Sequence, residues 1–370
     1  MQLPQPSSDV TRTSERDQPV EVLRAVDLFC GSGAVSAALH RNAFKVVTAV
    51  DNDEIACRTY RANHPDVDLV EGDILAIDPA EHPSFNTLGA IDLLIVCAPC
   101  QPFSSQNRNR GDHDDRASLL LESIKFAAAL KPACILFENV PGLASPGNLA
   151  MFSKLREGLA ETGYSLSKPR RIDAATLGVP QRRVRCVMVA TPTPAGADAF
   201  TTSDLAGTPI TVREAIGYLP PLESGESDPL DHMHSARTHS ELVLRRLRHI
   251  PTDGGSRSSL PEALELKCHR GRVNSFSDVY GRMAWDTVAP TLTTGCTDLT
   301  RGRFVHPAQD RAITLREAAL LQTFPPDYRF EGNKSDIARQ IGNAVPVRMV
   351  EALLPTLRSI IDQQGASLDA

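Results

Sequence analysis

The sequence lacks long apolar runs and a secretion signal. No apolar stretch approaches the roughly 20 residues that a helix needs to cross a bilayer, and residues 1–20 are polar and proline-containing, without the apolar centre of a signal peptide. Its eight cysteines do not indicate a disulfide framework, because they are scattered and Cys134 and Cys186 stand inside apolar, strand-like runs. These absences argue against a membrane or secreted protein and predict a cytoplasmic protein with reduced thiols.

A net positive charge is also absent. The formal net charge is −6, which argues against a protein that coats nucleic acid without specificity, although a local basic face can still bind DNA. Residues 232–282 hold nine Arg and Lys against five Asp and Glu, together with five of the ten histidines. A second basic stretch covers residues 168–185. Taken alone, both stretches fit a charged, solvated surface better than a nucleic-acid interface.

Apolar runs alternate with helical patterns from about residue 23 to residue 190. Strands are predicted at residues 25–29, 45–50, 67–70, 91–97, 133–137 and 184–190, and helices at residues 54–63 and 118–130. Alternation of this kind is typical of a mostly parallel sheet that helices cover on both faces. Residues 1–22 are expected to be a disordered tail.

The alternation stops near residue 191. The following stretch is irregular, with short helices such as the one predicted at the capping box Thr211-Val-Arg-Glu214. A second capping box, Thr314-Leu-Arg-Glu317, opens a helical pattern that continues through residues 346–361. We therefore expect a first domain built from residues 23–190 and 305–370, with a smaller module inserted at residues 191–304.

A glycine turn follows the first predicted strand. The strand ends in Asp27-Leu-Phe29, and Gly31 and Gly33 then turn into a helix, which lets the backbone and the first N–H groups of the helix approach a ligand. Ser36 stands where a dinucleotide fingerprint has its third glycine, so an NAD site is a poor match.

Acidic residues follow the next two strands. Asp51 closes the second strand, where an acid can bind ribose hydroxyls, and Asp73 follows the third, where it can hold an adenine amino group. Each acid alone could be a helix cap. The glycine turn, Asp51 and Asp73 follow three consecutive strands, and together they predict an adenosine-binding crevice.

The segment LLIVCAPCQPFSSQN, residues 93–107, brings Pro99 and Cys100 to the carboxyl edge of the sheet, where ligands bind in such folds. Cys97 and Cys100 form a Cys-x-x-Cys pair, so a thioredoxin-like redox site is an alternative. A redox pair opens a helix, whereas Cys97 lies in the apolar strand and Pro102 follows. A nucleophilic Cys100 is therefore favoured.

Three further motifs lie downstream. Glu138 ends the fifth strand, and alternation along the sixth points every second residue of Gln181-Arg-Arg-Val-Arg185 to one side. The last motif is Gly342-Asn-Ala-Val345.

These motifs, in this order, resemble the cytosine-5 DNA methyltransferase family. The resemblance spans about residues 24–355 and rests on DLFxGxG (27–33), the acid at 51, GDI (72–74), PCQxFS (99–104), ENV (138–140), QxRxR (181–185), GNAV (342–345) and the stretch RAITLREAALLQTFPPDYRF (311–330). One departure is CAPC, where the family commonly has Gly or Pro before the PC. The resemblance implies a Rossmann-like S-adenosylmethionine-dependent methyltransferase fold, with a mostly parallel seven-stranded sheet and a small target-recognition domain.

The resemblance also implies the chemistry. Cys100 would add to carbon 6 of a cytosine flipped out of the duplex, because carbon 5 is too electron-poor to take a methyl group directly. Glu138 would contact ring N3 and the exocyclic amine, Arg185 would hold O2, and Arg183 would support the thiolate and a nearby phosphate. Residues 104–117 form a polar loop that we expect to close over the DNA.

The implied cofactor is S-adenosylmethionine, with no metal. Its predicted contacts are Asp27, Phe29, Gly31, Gly33, Asp51, Asn52, Asp73, Ile74, Pro99, Asn343 and Val345. We expect a monomeric enzyme whose partner is double-stranded DNA. The resemblance also allows for a cognate restriction endonuclease that acts separately. The predicted DNA contacts are Ser104, Gln106, Gln181, Arg282, Thr291 and Thr293, whereas Trp285 is expected to be core.

Two alternatives remain open. A tRNA cytosine-5 methyltransferase of the same type shares PCQPF, but such enzymes favour Thr where this chain has Ser104, and their Cys-Phe-Thr signature is absent. A catalytically silent DNA-binding homologue is disfavoured because the catalytic residue types are intact.

Overall fold

A computed structural model of the chain describes residues 21–99, 115–201, 205, 207–269 and 278–368. Three of the predicted site residues, Cys100, Ser104 and Gln106, lie outside the described residues, as does most of the predicted 104–117 loop.

Eight strands form one mixed sheet among the described residues. They are β1 (Leu23–Leu28), β2 (Phe44–Asp51), β3 (Asp68–Glu71), β4 (Leu93–Val96), β5 (Cys134–Asn139), β6 (Ser165–Leu166), β7 (Arg170–Asp173) and β8 (Val184–Thr191). Their spatial order is β3-β2-β1-β4-β5-β8, and the short β6 and β7 both pair with β8 at its outer edge. Strands β1 to β5 run parallel, whereas β8 is antiparallel to β5. The predicted mostly parallel α/β sheet is confirmed, and it has seven positions because β6 and β7 share one.

The sheet is buried on both faces. Along β4, Leu93 and Ile95 belong to one apolar cluster, whereas Leu94 and Val96 belong to the cluster on the opposite face. Because successive side chains of a strand alternate between faces, this division shows that each face has its own core. The uninterrupted apolar sequence of β4 is what a central parallel strand requires.

Eleven α-helices are assigned in the described residues. They are α1 (Ala34–His40), α2 (Glu54–Asn63), α3 (Pro83–Asn86), α4 (Ser123–Leu130), α5 (Leu149–Glu161), α6 (Pro194–Ala199), α7 (Val212–Ile216), α8 (Glu241–His249), α9 (Leu315–Leu321), α10 (Lys334–Asn343) and α11 (Val347–Leu368). Short 3-10 helices occur at Ile74–Ala76, Asp115–Leu120, Pro141–Ala144, Pro146–Asn148, Ala174–Leu177, Arg257–Ser259, Glu262–Leu264 and Lys267–His269. Within the described ranges, no helix is long and apolar enough to cross a membrane.

Side-chain caps fix several helix starts where the sequence predicted them. The carboxylate of Asp53 accepts hydrogen bonds from the N–H groups of Ile55 and Ala56, both at 3.1 Å, and α2 begins at Glu54. Both predicted capping boxes, at Thr211 and Thr314, are present. The helix predicted at residues 118–130 starts only at Ser123, because residues 115–120 form a 3-10 turn.

The described residues between 207 and 312 add no strand to the sheet. Leu247, Ile250, Leu260, Tyr280 and Val305 belong to a small apolar cluster of their own. Other residues of the same stretch, including Val212, Ile216 and Met283, join one of the cores beside the sheet. The inserted region therefore has a partly separate core, while the predicted boundaries of 191 and 304 stay a prediction.

Candidate active site

A cavity of about 480 Å³ lies at the carboxyl ends of the parallel strands. This volume is within the range of about 300–1,000 Å³ that is typical of small-molecule sites. The strand order reverses at β1 and β4, where such folds bind ligands. Of the predicted cofactor contacts, nine line the cavity: Phe29, Gly31, Asp51, Asn52, Asp73, Ile74, Pro99, Asn343 and Val345.

The glycine turn forms one wall of this cavity. Phe29, Gly31 and Gly33 all have positive φ angles, of 60°, 53° and 89°, and glycine adopts this conformation without steric cost. Gly31 donates its N–H to Asp51 at 2.8 Å, and the other carboxylate oxygen of Asp51 accepts the N–H of Asp53 at 2.9 Å. Asp51 therefore links the turn to the end of β2, while burial raises the pKa of its carboxyl.

Asp27 and Gly33 do not line the cavity. Asp27 is fully buried and accepts a hydrogen bond from the hydroxyl of Ser36 at 2.8 Å, and burial raises the pKa of its carboxyl to about 7. Gly33 is the N-cap residue of α1. Both residues lie behind the wall, so their predicted direct contact with a cofactor is not supported.

The far end of the cavity is shaped by the turn after β3. The carboxylate of Asp73 accepts the N–H of Leu75 at 3.0 Å and so begins the 3-10 turn that carries Ile74. Lys125 on α4 donates to the carbonyl of Ile74 at 2.8 Å and forms an ion pair with Glu122. Ile74 is thus held from behind, with its side chain buried in the cavity wall.

Opposite this end, Glu138 and Arg185 form a buried pair. Arg185 Nε lies 2.8 Å from Glu138 Oε1, and both side chains are about 10% exposed. The pairing of β5 with β8 brings them together, because Glu138 lies opposite Val187 in the antiparallel register. Burial raises the pKa of Glu138, and the opposing cations Arg185 and Arg183 only partly offset it. The pair therefore offers a protonatable carboxyl and a guanidinium at one point of the cavity.

Cys97 also lines the cavity. Burial, followed by the nearby charges of Glu138 and Asp27, raises the pKa of its thiol well above the ordinary value. A thiol held neutral in this way is a poor nucleophile, because the thiolate is the reactive form. The environment of Cys97 thus argues against this residue as the attacking group.

Arg183 and Gln181 connect three segments inside the protein. The guanidinium of Arg183 is 3% exposed and donates to the carbonyls of Leu292 (3.0 Å), Gly342 (3.1 Å) and Ala344 (2.9 Å). A direct phosphate contact by Arg183 is therefore not supported. The fully buried amide of Gln181 donates to Gln322 at 3.0 Å and accepts the N–H of Leu292 at 2.8 Å.

The DNA contact predicted for Gln181 is not supported, because its amide binds interior partners. The DNA contact predicted for Arg282 is not supported for the same reason. Its side chain is 1% exposed and donates to the carbonyls of Leu247, Ile250, His306 and Gln309 at 2.7–3.1 Å, and to the carboxylate of Asp310. Arg282 therefore joins these segments inside the protein, and its guanidinium is not accessible to a phosphate.

Thr291 and Thr293 lie nearer the surface. Thr291 is exposed and donates to the carbonyl of the exposed Arg182 at 2.6 Å, whereas Thr293 is half-buried. Trp285, predicted to be core, is partly buried and packs against an apolar core with the guanidinium of Arg213 over its ring.

The sequence reasoning missed several residues that line the cavity, among them Leu119, Arg339 and Gln340. Arg339 and Gln340 precede Asn343 by four and three positions on α10, so helical spacing could have found them. Leu119 follows the nucleophile segment in a 3-10 turn, and no sequence signal identified it.

Comparisons with known proteins agree with this geometry. The chain matches a sequence model of the C-5 cytosine-specific DNA methylase family over residues 23–359. It is similar to the Type II methylase M.HgiDII of Herpetosiphon aurantiacus, with 36% identity over 346 residues that cover 91% of this chain and 95% of the relative. It is also similar to the Type II methyltransferase M.PspPI of Psychrobacter sp. (strain TA137), with 31% identity covering 91% and 79% of the two chains.

Solved structures share the fold. A prophage-encoded Escherichia coli protein assigned to the DNA modification methyltransferases superposes with a TM-score of 0.72 at 23% identity, covering 92% of this chain and 99% of the other. The Dnmt2 methyltransferase of S. pombe superposes with a TM-score of 0.61 at 20% identity, covering 92% and 99%. At such identities the likeness shows the fold alone. On the extent of the sequence match, the chain belongs to the C-5 cytosine-specific DNA methylase family and is a DNA methyltransferase.

Proposed function

We propose that this DNA methyltransferase transfers the methyl group of S-adenosylmethionine to carbon 5 of a flipped-out cytosine in a specific double-stranded DNA sequence, through a covalent bond between Cys100 and carbon 6. The buried pair of Glu138 and Arg185 is the observation that carries this proposal. It lies in the same cavity as the acids that follow β2 and β3, so one pocket holds groups suited to a base and groups suited to an adenosine.

The cavity fits the cofactor that methyltransferases of this kind use. A Cβ atom added to Gly31 or Gly72 would meet no atom within 4 Å, so both glycines leave open space along the wall. Asp51 and Asn52 would hold the ribose, Asp73 and Ile74 the adenine, and Asn343 and Val345 the methionine end. When bound, S-adenosylmethionine supplies an electrophilic methyl group.

Side chains of the protein activate the cytosine ring for methylation. Addition of the Cys100 thiolate to carbon 6 pushes electrons into the ring, and the carboxyl of Glu138 relieves the resulting negative charge by donating its proton to N3. Burial raises the pKa of Glu138, which favours the protonated form of its carboxyl. Arg185, held by Glu138, would bind O2 of the base. After methylation, a base takes the carbon 5 proton, the electrons of that bond form the carbon 5–carbon 6 double bond, and Cys100 leaves carbon 6 as a thiolate. The proton on N3 returns to Glu138.

The target carbon is inaccessible within a stacked duplex, so the base must leave the helix before it can enter this pocket. Ser104 and Gln106, in the loop after Cys100, would close over the DNA. Thr291 and Thr293 would contact it beside the exposed Arg182. Because Gln181 and Arg282 are buried, we place specificity in the exposed parts of residues 191–304.

Transfer of radiolabel from S-adenosylmethionine to either duplex DNA or tRNA tests the substrate. We expect label in duplex DNA, released as 5-methylcytosine on hydrolysis, and none with Cys100→Ser. Bisulfite sequencing of DNA from a methylation-free host would then identify the recognition sequence. Label confined to tRNA would support the alternative substrate instead.

The family relatives named above are Type II enzymes, which supports a role beside a separate restriction endonuclease. A cytoplasmic location is supported by the cysteines, since the seven within the described residues are all free and mostly buried. Size-exclusion chromatography with light scattering tests the proposed monomer.

A further inference from the structure

Residues 323–330 have no part in the chemistry proposed above, although they close the 311–330 stretch of the family resemblance. In the fold they lie against α2. The side chain of Asn63 donates to the carbonyl of Arg329 at 2.7 Å and accepts its N–H at 2.9 Å. Within this segment Tyr328 is 5% exposed, and its hydroxyl donates to the carbonyl of Ser32 at 2.5 Å. A segment distant in sequence is thus bonded to the glycine turn.

His64, the C-cap residue of α2, reaches the same turn. Its Nε2 lies 3.0 Å from the carbonyl oxygen of Gly33 and 3.2 Å from the hydroxyl of Tyr328. A carbonyl oxygen can only accept, so Nε2 carries the hydrogen and Nδ1 is the unprotonated nitrogen. Burial also lowers the pKa of His64 to about 4. The neutral ring therefore acts as a constant hydrogen-bond donor to the turn at neutral pH.

The turn has no space for any residue but glycine at position 33. Its φ angle is 89°, and a Cβ atom there would lie 2.6 Å from the ring of His64 and 2.8 Å from the hydroxyl of Tyr328. Ser32, whose carbonyl Tyr328 holds, lines the cavity, whereas His64 and Tyr328 do not. His64 and Tyr328 thus hydrogen-bond the consecutive carbonyls of Gly33 and Ser32 from behind the cavity wall.

We infer that His64 and Tyr328 are positioning residues for the cofactor: by holding the carbonyls of Ser32 and Gly33, they fix the shape of the wall against which S-adenosylmethionine binds. This inference rests on the proposed function, since it takes the cavity to be the cofactor site. Neither side chain needs to contact the cofactor. Their removal should therefore weaken cofactor binding while the base-binding end, at Glu138 and Arg185, is unchanged.

Titration calorimetry with S-adenosylhomocysteine tests the inference without DNA or turnover. Tyr328→Phe removes only the hydroxyl, and loss of one buried hydrogen bond to the wall should raise the Kd about three- to tenfold. Tyr164→Phe is the matched control, because Tyr164 is also 5% exposed and donates to a backbone carbonyl, that of Pro132, at 2.8 Å in the opposite core. It should lose comparable thermal stability and keep its Kd within about twofold.

His64→Phe provides a second, independent measurement, because it keeps a ring beside Tyr60 and removes the donor nitrogen. It should raise the Kd in the same way, and the double variant should lose less than the product of the two single effects, because both side chains act on one turn. With saturating cofactor, KM for DNA should stay within about twofold for all variants.

The inference is overturned if folded Tyr328→Phe and His64→Phe both bind S-adenosylhomocysteine within about twofold of wild type, or if Tyr164→Phe weakens binding equally. A wild-type protein that is folded by circular dichroism and does not bind S-adenosylhomocysteine would instead overturn the proposed function, and the inference with it.

Discussion

The variant Arg282→Ala tests whether this guanidinium stabilises the interior of the protein or binds DNA. The buried side chain is the common donor for four backbone carbonyls and the carboxylate of Asp310, which come from residues 247–250 and 306–310. Alanine would leave these acceptors without that donor. Leaving a buried acceptor without its donor costs about 1–3 kcal/mol, and several carbonyls lose theirs together, so we expect Arg282→Ala to lower the free energy of unfolding by about 3–5 kcal/mol.

Urea denaturation followed by circular dichroism measures this loss. Arg245→Ala is the matched control, because Arg245 is an exposed arginine on α8 of the same region, and such surface changes cost about 0.5 kcal/mol or less. DNA binding at several salt concentrations provides the second readout. Removing a phosphate contact lowers the slope of log K against log salt by about one, and folded Arg282→Ala should keep the wild-type slope. Wild-type stability together with a slope lowered by about one would refute the interior role.

Three further predictions concern the site and its supports. Glu138→Gln keeps the shape of the side chain but removes the proton donor, so kcat should fall at least about a hundredfold in the radiolabel assay; an unchanged kcat would exclude proton donation. Gly342→Ala would place a Cβ atom against the backbone of Thr293, and urea unfolding should show a loss of about 1–3 kcal/mol, whereas an undisturbed stability would contradict this close approach. Burial lowers the pKa of His306 from 6.5 to about 4; the unfolded chain therefore binds the proton first as pH falls, and about 3 kcal/mol of stability should be lost between pH 6.5 and 4. His306→Gln should show a shallower loss over this window, and a parallel pH profile of the two proteins would count against the buried histidine.

The sheet could be predicted from the sequence because its signal is local. All of β4 and the first four residues of β5 are apolar, and such runs leave few alternatives to a buried strand. By contrast, β6 and β7 were missed. They have two and four residues, and β7 reads Arg-Arg-Ile-Asp, without apolar alternation. They are strands because β8 offers them an unpaired edge, which is a property of the assembled sheet.

The site residues also divide into those that a local sequence signal places and those whose partners only the tertiary structure shows. The acids that follow parallel strands meet at one edge because parallel strands end together, so Asp51, Asp73 and Glu138 could be placed from strand order alone. The partners of a polar side chain cannot be read this way. Arg282 lies in a stretch whose arginine and threonines are able to contact phosphates and base edges, yet its acceptors come from residues 247–250 and 306–310. Only the tertiary structure shows that acceptors inside the protein bind this guanidinium.

The first residues leading into β8 show how one short motif serves two purposes. Gln181 and Arg183 lie just before β8 and bind interior partners, whereas Arg185 lies in β8 and lines the cavity. Gln181 and Arg183 bind the backbone of Leu292, which belongs to the inserted region, and Arg183 also binds the carbonyl of Gly342. Arg185, two residues further, reaches Glu138. Through Leu292, these contacts link the inserted region to the residues that directly precede Arg185. The motif therefore contacts both the region proposed to select the DNA sequence and the carboxyl proposed to receive the base.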